Sequence, residues 1–393
     1  MKARLPLIDL VAAALLAALA AAYVVHDLTT VKHLILPGQV MVGHDFLNAW
    51  AGGSLALHGQ VGAIYSANYM DAVNALTGQK LSVHAFSYPP TALLFLWPLG
   101  FLAYLPALIV FLGLTGAAFL WTARSWLARA GLPWWSAALL PAVLINIWAG
   151  HYGFLFSALW LGAFAAMEAK PRTAGGLIAL LTFKPHMGVV IPPLLLLRRQ
   201  GQVITTAAIG TLSLIGASLL LFGGAAWLNY LVGTSSLQAH LLVKSQAFFF
   251  TMMPTAYAAI WSTSGAFALA VAAQCATALV ALTILARAAL RGLAWRELGL
   301  MAATATFLVL PYAFNYDMPV VGLAAAMLLF GRERLTDPLG RILALLALGT
   351  PVLVLVAGSL APLLPLALLG FLWVQARAYG VSAAPQLKPA IAT

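Results

Sequence analysis

The sequence predicts an all-α protein, built as a polytopic bundle of transmembrane helices. Of its 393 residues, 63% are hydrophobic and 7% are charged, whereas about 25% of the residues in a soluble globular domain are charged. Apolar stretches recur along the chain, and the basic residues stand in short clusters between them. This alternation follows the positive-inside rule. We expect one transmembrane domain over residues 1–393, with about 11–13 membrane helices.

The apolar stretches give the expected order of the membrane helices. They fall at residues 6–26, 104–123, 133–150, 153–169, 173–183, 186–197, 203–223, 266–286, 297–314, 317–330, 339–358 and 361–376. The first stretch resembles a signal peptide with alanine-rich, cleavage-like sites near residues 17–22. We favour a retained anchor, because the charge pattern requires it as the first span. A further apolar run at 89–103 is expected to be a partial or surface-lying helix. A full span there would move Arg124 and Arg129 to the outer side.

The charge pattern predicts a multi-pass protein of the inner (plasma) membrane with both termini in the cytoplasm. The basic residues expected on the cytoplasmic side are Lys2, Arg4, Arg124, Arg129, Lys170, Arg172, Arg198, Arg199, Arg287, Arg291, Arg296, Arg332, Arg334, Arg341, Arg377 and Lys388. Those expected on the outer side or in a cavity are Lys32, Lys80, Lys184 and Lys244. Two long segments, 27–88 and 224–265, fall on the outer side, and loops of such length are usually functional.

The first outer loop is expected to contain two amphipathic helices that lie at the membrane interface. One covers Asp45–Leu57 and is broken near its middle by Gly52 and Gly53. The other covers Ser66–Leu76. Aromatic residues are frequent in this loop, which suits an interfacial position.

Lys184 is the most informative single residue. Inserting a lysine at the centre of a bilayer costs about 2.5–3.5 kcal/mol, so such a residue is rarely without a partner or a water-filled cavity. Pro185 follows it directly and interrupts helical hydrogen bonding. The two flanking apolar arms begin after Arg172 and end at Arg198, so both ends belong on the cytoplasmic side. We predict a broken, re-entrant-like hairpin over 173–197 that raises a cation into a cavity, where it would meet an anion.

Asp45 is the acidic residue of the first outer loop that is best suited to a catalytic role. On a helix it shares a face with Asn48 and Gly52. A carboxylate in an apolar, partly dehydrated setting can act as a general base. The alternative interpretation is an N-capping aspartate. Of the other acids in this loop, Asp27 is interpreted as interfacial and Asp71 as solvated.

Two outer turns carry further polar side chains. Asp317 follows Tyr312, Asn315 and Tyr316 where one span leaves the membrane and the next returns, and these three residues can donate hydrogen bonds to a phosphate. The alternative for Asp317 is an acid that caps the next helix. His151 lies in another outer turn, where a functional role and a structural role are both open.

Several function classes are excluded by composition. The net charge is +11, but no basic patch is interleaved with aromatic residues, so a nucleic-acid partner is not expected. Cys275 is the single cysteine, which excludes an internal disulfide and a thiol metal site. No His-x-x-x-His cluster is present, and we expect no metal and no cofactor.

Six short motifs follow one another along roughly residues 40–330. They are Asp45-Phe46 with Trp50 and Gly52, Phe86-Ser87-Tyr88-Pro89-Pro90, Gly150-His151, Thr182-Phe183-Lys184-Pro185-His186, Met253-Pro254-Thr255, and Pro311-Tyr312 through Tyr316-Asp317. Together they resemble glycosyltransferase family 87, the polyprenyl-phosphate-sugar-dependent transferases of the GT-C superfamily that include mycobacterial mannosyltransferases. His151 stands where many members have glutamine. The turn at 312–316 lacks the histidine with which the mycobacterial enzymes hold the donor phosphate.

The resemblance implies a GT-C type of bundle whose active site faces the periplasm or exterior, in a protein of the cell envelope. It implies a hexosyltransferase that moves a sugar from a polyprenyl phosphate to a lipid or glycan acceptor, and mannose is the sugar most expected. The transfer would invert the anomeric configuration and would need no metal. Asp45 is then the implied catalytic base. The residues expected to bind the donor are Lys184, His151, Tyr312, Asn315 and Tyr316. Those expected to bind the acceptor or support the site are His44, Asn48, Tyr88, Asp317 and His186.

Two other functions remain open at this point. A flippase or transporter of lipid-linked sugars also suits a lysine at a proline break, but it needs no base in an extramembrane loop helix. A ligase that joins a preassembled glycan to a lipid acceptor would share the outer active site and need a larger donor groove.

Overall fold

A computed structural model describes residues 7–82, 84–234 and 247–380, and this part of the chain is helical almost throughout. Lys2, Arg4, Lys244, Lys388 and part of the segment 224–265 lie outside the described residues. The helices are α1 (Leu7–Thr30), α2 (Phe46–Leu57), α3 (Val61–Ile64), α4 (Tyr69–Thr77), α5 (Pro90–Leu96), α6 (Tyr104–Ala130), α7 (Pro141–Ala149), α8 (Gly153–Ala166), α9 (Pro171–Leu180), α10 (Ile191–Leu197), α11 (Gly201–Phe222), α12 (Gly224–Asn229), α13 (Ala247–Phe250), α14 (Ala256–Ser264), α15 (Phe267–Leu290), α16 (Trp295–Val309), α17 (Pro319–Phe330), α18 (Pro338–Val356) and α19 (Leu363–Ala378). A two-stranded antiparallel hairpin, β1 (Ile35–Leu36) and β2 (Val40–Met41), precedes α2.

The predicted all-α polytopic membrane protein is confirmed. Within the described ranges, six helices are long and apolar enough to cross a bilayer: α1, α6, α11, α15, α18 and the helical segment Gly358–Ala378. Shorter apolar helices accompany them, and the predicted total of eleven to thirteen membrane helices stays a prediction. α1 and α11 have largely exposed apolar surfaces, whereas α8, α16 and α17 are buried along most of their length. The shorter helices thus form the centre, and the long ones present the surface suited to lipid.

Two of the expected apolar stretches differ from the observed helices. The run 89–103 forms α5 and a 3₁₀ turn (Trp97–Phe101), which together are too short to span a bilayer of about 30 Å. It is therefore a partial helix, but α5 is largely buried against α2 and α11 and does not lie on the surface. The stretch 133–150 is not one helix, since a 3₁₀ segment (Trp134–Leu139) ends before Pro141, where α7 begins. Proline is favoured at the first helical position and disfavoured within a helix.

The prediction for the first loop helix was wrong in two respects. α2 runs through Gly52 and Gly53 without a break, and residues from Phe46 to Leu55 are buried apart from Trp50. The helix is therefore enclosed by protein, whereas an amphipathic helix lying on a membrane surface would expose one face. A Cβ at Gly52 would lie 2.4 Å from the Phe86 ring, and one at Gly53 would lie 2.1 Å from the Leu96 carbonyl oxygen. The two glycines allow neighbouring segments to approach the helix.

We expect Gly53→Ala to destabilise the protein by about 1–3 kcal/mol, the usual range for overpacking. The added methyl group would meet the backbone of Leu96, which cannot rotate away as a side chain would. Gly62→Ala in α3 is the matched control, because a Cβ there meets nothing within 4 Å. Thermal unfolding of the two purified variants measures the difference. Equal melting temperatures would contradict the packing role of Gly53.

The segment around Lys184 rises into the bundle and returns. α9 and α11 run parallel, since a Cβ at Gly175 would lie 2.7 Å from Thr206 and one at Gly210 would lie 2.7 Å from Ala179. The chain must therefore reverse between these helices. The reversal consists of two 3₁₀ turns (Leu181–Phe183 and Pro185–Gly188) that flank Lys184, followed by α10.

The two ends of the bundle differ in their side chains. At one end, the Tyr104 hydroxyl at the start of α6 donates to the Val42 carbonyl at 2.7 Å, which holds the first loop. At the other end of α6, the Ala130 carbonyl accepts from the backbone N–H of Arg332 at 2.8 Å. Arg341 adds a bidentate ion pair with Asp9, with both N–O distances 2.8 Å. We refer to this second end, marked by Arg129, Arg332 and Arg341, as the basic end.

Candidate functional site

A buried ion pair joins Lys184 to Asp317. The Lys184 ammonium donates a hydrogen bond to Oδ2 of Asp317, and the side chains are 3% and 0% exposed. Lys184 lies at the break between the two 3₁₀ turns, and Asp317 ends the short turn Asn315–Asp317. Asp317 does not cap α17, because Met318 is the N-cap residue and no side chain caps that helix. Asp317 is instead the counterion of Lys184, whose ammonium group would otherwise be costly to bury.

His151 and Tyr88 extend this pair into a chain of polar side chains. Nδ1 of His151 lies 3.6 Å from Oδ1 of Asp317, and Nε2 lies 2.7 Å from the Tyr88 hydroxyl. The His151 ring packs on the Tyr316 ring with 4.0 Å between centroids. His151 is 1% exposed, whereas Tyr88 is half-buried. Tyr88 is therefore the member of the chain nearest to open space.

Asp45 lies beside this polar chain. The His151 turn packs closely on the Asp45 turn, because a Cβ at Gly150 would lie 2.4 Å from the Gly43 carbonyl oxygen and 2.8 Å from Cβ of Phe46. The Asp45 side chain makes no capping hydrogen bond to α2, and it is half-buried. Asp45 is thus the N-cap residue of α2 by position, but its carboxylate does not bond to the helix.

Asp27 was not recognised as part of this region by sequence reasoning. Its Oδ2 lies 2.7 Å from Nε2 of His44, which directly precedes Asp45. The His44 ring also packs against Trp148, with centroids 4.4 Å apart, and the backbone φ of His44 is +39°. Asp27 is thus buried and bound to the turn that carries Asp45. No local motif signals this contact, since α1 and the turn meet only through tertiary packing.

Two predicted site residues have structural contacts. Oδ1 of Asn48 accepts a hydrogen bond from the Tyr69 hydroxyl at 2.9 Å, so the Asn48 face of α2 is docked on α4 and is not paired with Asp45. Asn315 is fully buried, and its Nδ2 donates to the Pro351 carbonyl at 2.7 Å. Pro351 lies inside α18, so this hydrogen bond ties the Asn315 turn to the backbone of that helix. We therefore assign Asn315 to the support of α18.

Three other predicted site residues lie near the ion pair, two of them expected to bind the donor (Tyr312 and Tyr316) and one to bind the acceptor or support the site (His186). The Tyr316 ring is buried with its centroid 5.4 Å from Nζ of Lys184, which suits a cation–π contact. The rings of His186 and Tyr312 lie 6.3 Å apart, and both residues are half-buried. Nε2 of His186 is buried and has no hydrogen-bond partner within the described segments. His186 and Tyr312 therefore form a second side of the polar region.

Tyr65 fixes the position of Tyr88. Its hydroxyl donates to the Tyr88 carbonyl at 3.0 Å. Burial raises the pKa of Tyr65 above its ordinary value, so the phenol stays a neutral donor. Tyr152 packs on the other side of Tyr88, with ring centroids 4.8 Å apart. Tyr152 is buried in the core.

Comparison with protein families identifies the chain. Residues 86–311 match the model of glycosyltransferase family 87, which is more than half of the sequence. The chain belongs to glycosyltransferase family 87. It is therefore a membrane glycosyltransferase with a sugar donor and an acceptor as substrates. Searches of curated proteins and of solved structures gave no match.

The family match covers only part of the region described above. In this family 87 glycosyltransferase the matched range contains Tyr88, His151, Lys184 and His186, and it ends before Asp317. Asp45 precedes the range. Within residues 7–82, 84–234 and 247–380, no three His, Cys, Asp or Glu side chains are grouped as a metal site requires. The roles of the individual residues therefore rest on geometry.

Tyr88→Phe is expected to lower transfer by this family 87 enzyme about tenfold, which corresponds to roughly 1.4 kcal/mol. The change removes the hydrogen bond to Nε2 of His151 and leaves a buried ring nitrogen without its partner. Tyr152→Phe is the matched control, since the Tyr152 hydroxyl is buried without a partner within the described part of the chain. Steady-state transfer rates measure both variants. Equal rates in wild type and Tyr88→Phe would contradict a role for this hydrogen bond.

Proposed function

We propose that this family 87 glycosyltransferase takes its sugar from a polyprenyl phosphate and transfers it to a hydroxyl group of a lipid or glycan acceptor. The observation that carries the proposal is the buried pair of Lys184 and Asp317 beside Asp45, whose carboxylate makes no capping hydrogen bond to α2. A cation is thereby held near the position for a leaving phosphate, and a base is held near the position for an attacking hydroxyl. Mannose is the first sugar to test.

Lys184 is the proposed ligand of the donor phosphate. An ammonium group has three N–H donors, and Asp317 accepts one of them. The others are available to phosphate oxygens, whose charge makes such hydrogen bonds shorter and stronger. The half-buried Tyr88 and Tyr312 supply hydroxyl donors next to the ion pair. Asp317 and His151 hold this set in place, while Tyr316 packs beneath it.

The proposed step is a single displacement at the anomeric carbon. The acceptor oxygen attacks this carbon as its proton passes to Asp45, and the bond between the anomeric carbon and the phosphate oxygen breaks. The sugar is thereby inverted, and polyprenyl phosphate leaves with both electrons of the broken bond. Its developing charge is stabilised by Lys184, and donors preorganised for such charge typically contribute a factor of about 10²–10³ to kcat. A leaving group with a single phosphate lets protein cations fulfil this role.

The charge distribution supports a site on the outer face. The candidate site lies near the first loop, whereas Arg129, Arg332 and Arg341 lie at the basic end. The positive-inside rule favours the cytoplasm for the basic end. The donor would then enter from the outer leaflet with its tail among the lipids, along the exposed apolar helices.

A donor panel tests the proposed function. The purified protein in liposomes is given short-chain polyprenyl phosphates that carry mannose, another hexose or a pentose, and the corresponding nucleotide sugars. We expect transfer to extracted membrane lipids or glycans from the polyprenyl phosphates alone, with inversion observed by NMR of the product. Transfer from nucleotide sugars would contradict the proposed donor. Movement of the donor across the bilayer without transfer would favour the flippase alternative.

A further inference from the structure

A second polar cavity lies at the basic end, away from the candidate active site. Its volume is about 720 Å³, within the roughly 300–1,000 Å³ typical of small-molecule sites. It lies between the end of α6, the start of α16, the end of α17 and the end of α19. The side chains that matter for its chemistry are Arg129, Arg332, Glu297 and Tyr379.

Two arginines, Arg129 and Arg332, and two carboxylates, Glu297 and Glu333, line the cavity. Neither Arg129 nor Arg332 has a carboxylate within ion-pair distance among the described residues. Arginine presents a planar fork of donors that matches a phosphate. The two arginines, which have no ion-pair partner among the described residues, thus favour an anion with several acceptor oxygens.

Two polar atoms of residues that line the cavity lack hydrogen bonds. Oε2 of Glu297 and the hydroxyl of Tyr379 are buried and have no partner in the part of the chain that the structure describes. Buried polar atoms are normally satisfied, and leaving one unsatisfied costs about 1–3 kcal/mol. A carboxylate oxygen accepts a hydrogen bond, and a phenol can donate or accept one. A ligand hydroxyl would satisfy both groups.

We propose that this cavity binds a phosphate ester that carries free hydroxyl groups. Arg129 and Arg332 hold the phosphate, and Glu297 and Tyr379 hold the hydroxyls. A glycerol phosphate headgroup of an anionic lipid has this chemistry, and so does a soluble sugar or polyol phosphate. Basic pockets between membrane helices near the cytoplasmic surface are suited to such headgroups. The site is separate from the transfer chemistry, so it does not depend on the identity of the sugar donor.

Native mass spectrometry of the full-length protein in detergent tests the proposal. The probes are phosphatidylglycerol, phosphatidic acid, which lacks the headgroup glycerol, and soluble glycerol 3-phosphate as a competitor. We expect wild type to retain phosphatidylglycerol at least tenfold better than Arg129→Gln/Arg332→Gln. Arg287→Gln/Arg377→Gln is the matched control, since it removes two exposed arginines that do not line the cavity. Melting temperatures verify that each variant is folded.

Glu297→Gln/Tyr379→Phe tests the hydroxyl contacts. Wild type should prefer phosphatidylglycerol over phosphatidic acid, and this variant should lose the preference while it still binds both lipids. Binding of glycerol 3-phosphate without retention of lipid would support the site with a soluble ligand as its occupant. Equal losses in the two arginine double variants would overturn the proposal, because general surface charge would then explain binding. Absence of binding by all three probes would overturn it as well.

Discussion

Replacing Lys184 by methionine is expected to abolish transfer and to destabilise the protein by about 3–5 kcal/mol, the usual cost of breaking a buried ion pair on one side. Asp317 is fully buried, and without Lys184 its carboxylate has lost the cation that compensates it. Transfer should fall by at least about 10²–10³, because the charge that develops on the leaving phosphate loses its preorganised donor. Thermal unfolding and single-turnover transfer measure the two effects separately.

The double variant Lys184→Met/Asp317→Asn distinguishes stability from catalysis. It removes both charges, and replacing a buried pair by neutral groups is often close to neutral for stability. We expect most of the lost stability to return while transfer stays lost. Recovery of transfer along with stability would contradict a direct role for Lys184, which would then serve only the fold. Asp9→Asn breaks the ion pair of the buried Asp9 with Arg341 at the basic end and should spare transfer per folded molecule.

Asp45→Asn is expected to lower single-turnover transfer about 10²–10⁴-fold, the usual contribution of a positioned acid–base group. The amide keeps the size of the side chain but cannot accept the proton of the acceptor hydroxyl. The fold should be unaffected, because the carboxylate is half-buried and makes no capping hydrogen bond. Transfer is measured from a polyprenyl-phosphate sugar under saturating acceptor, and donor binding is measured in parallel.

Asp71→Asn provides the control for this variant. Asp71 belongs to the same outer loop, in the first turn of α4, and its side chain is exposed. The Asp71→Asn variant should transfer the sugar at the wild-type rate. Full activity in Asp45→Asn would remove Asp45 from the chemistry and leave the base unassigned. Loss of donor binding together with transfer would instead place Asp45 among the donor contacts.

The membrane architecture could be predicted from the sequence because it depends on local composition. Apolar length and the positions of arginines indicated the spans, and a lysine followed by proline indicated a break within an apolar segment. The same reasoning failed for α2. Its glycines suggested a break, whereas tertiary contacts with Phe86 and Leu96 make them the sites of close approach. Helix propensity is a weak preference that packing overrides.

The candidate site could be predicted only as a set of residue types in separate turns. The sequence by itself determined that Lys184 needs a partner, because burying an ammonium without one is too costly. Which acid fulfils this role was decided by tertiary structure, since Asp317 lies 133 residues further along the chain. The contact of Asp27 with His44 and the linkage of Tyr88 to His151 were decided in the same way. Hydrophobicity and charge act along the chain, whereas partner choice depends on how distant helices pack.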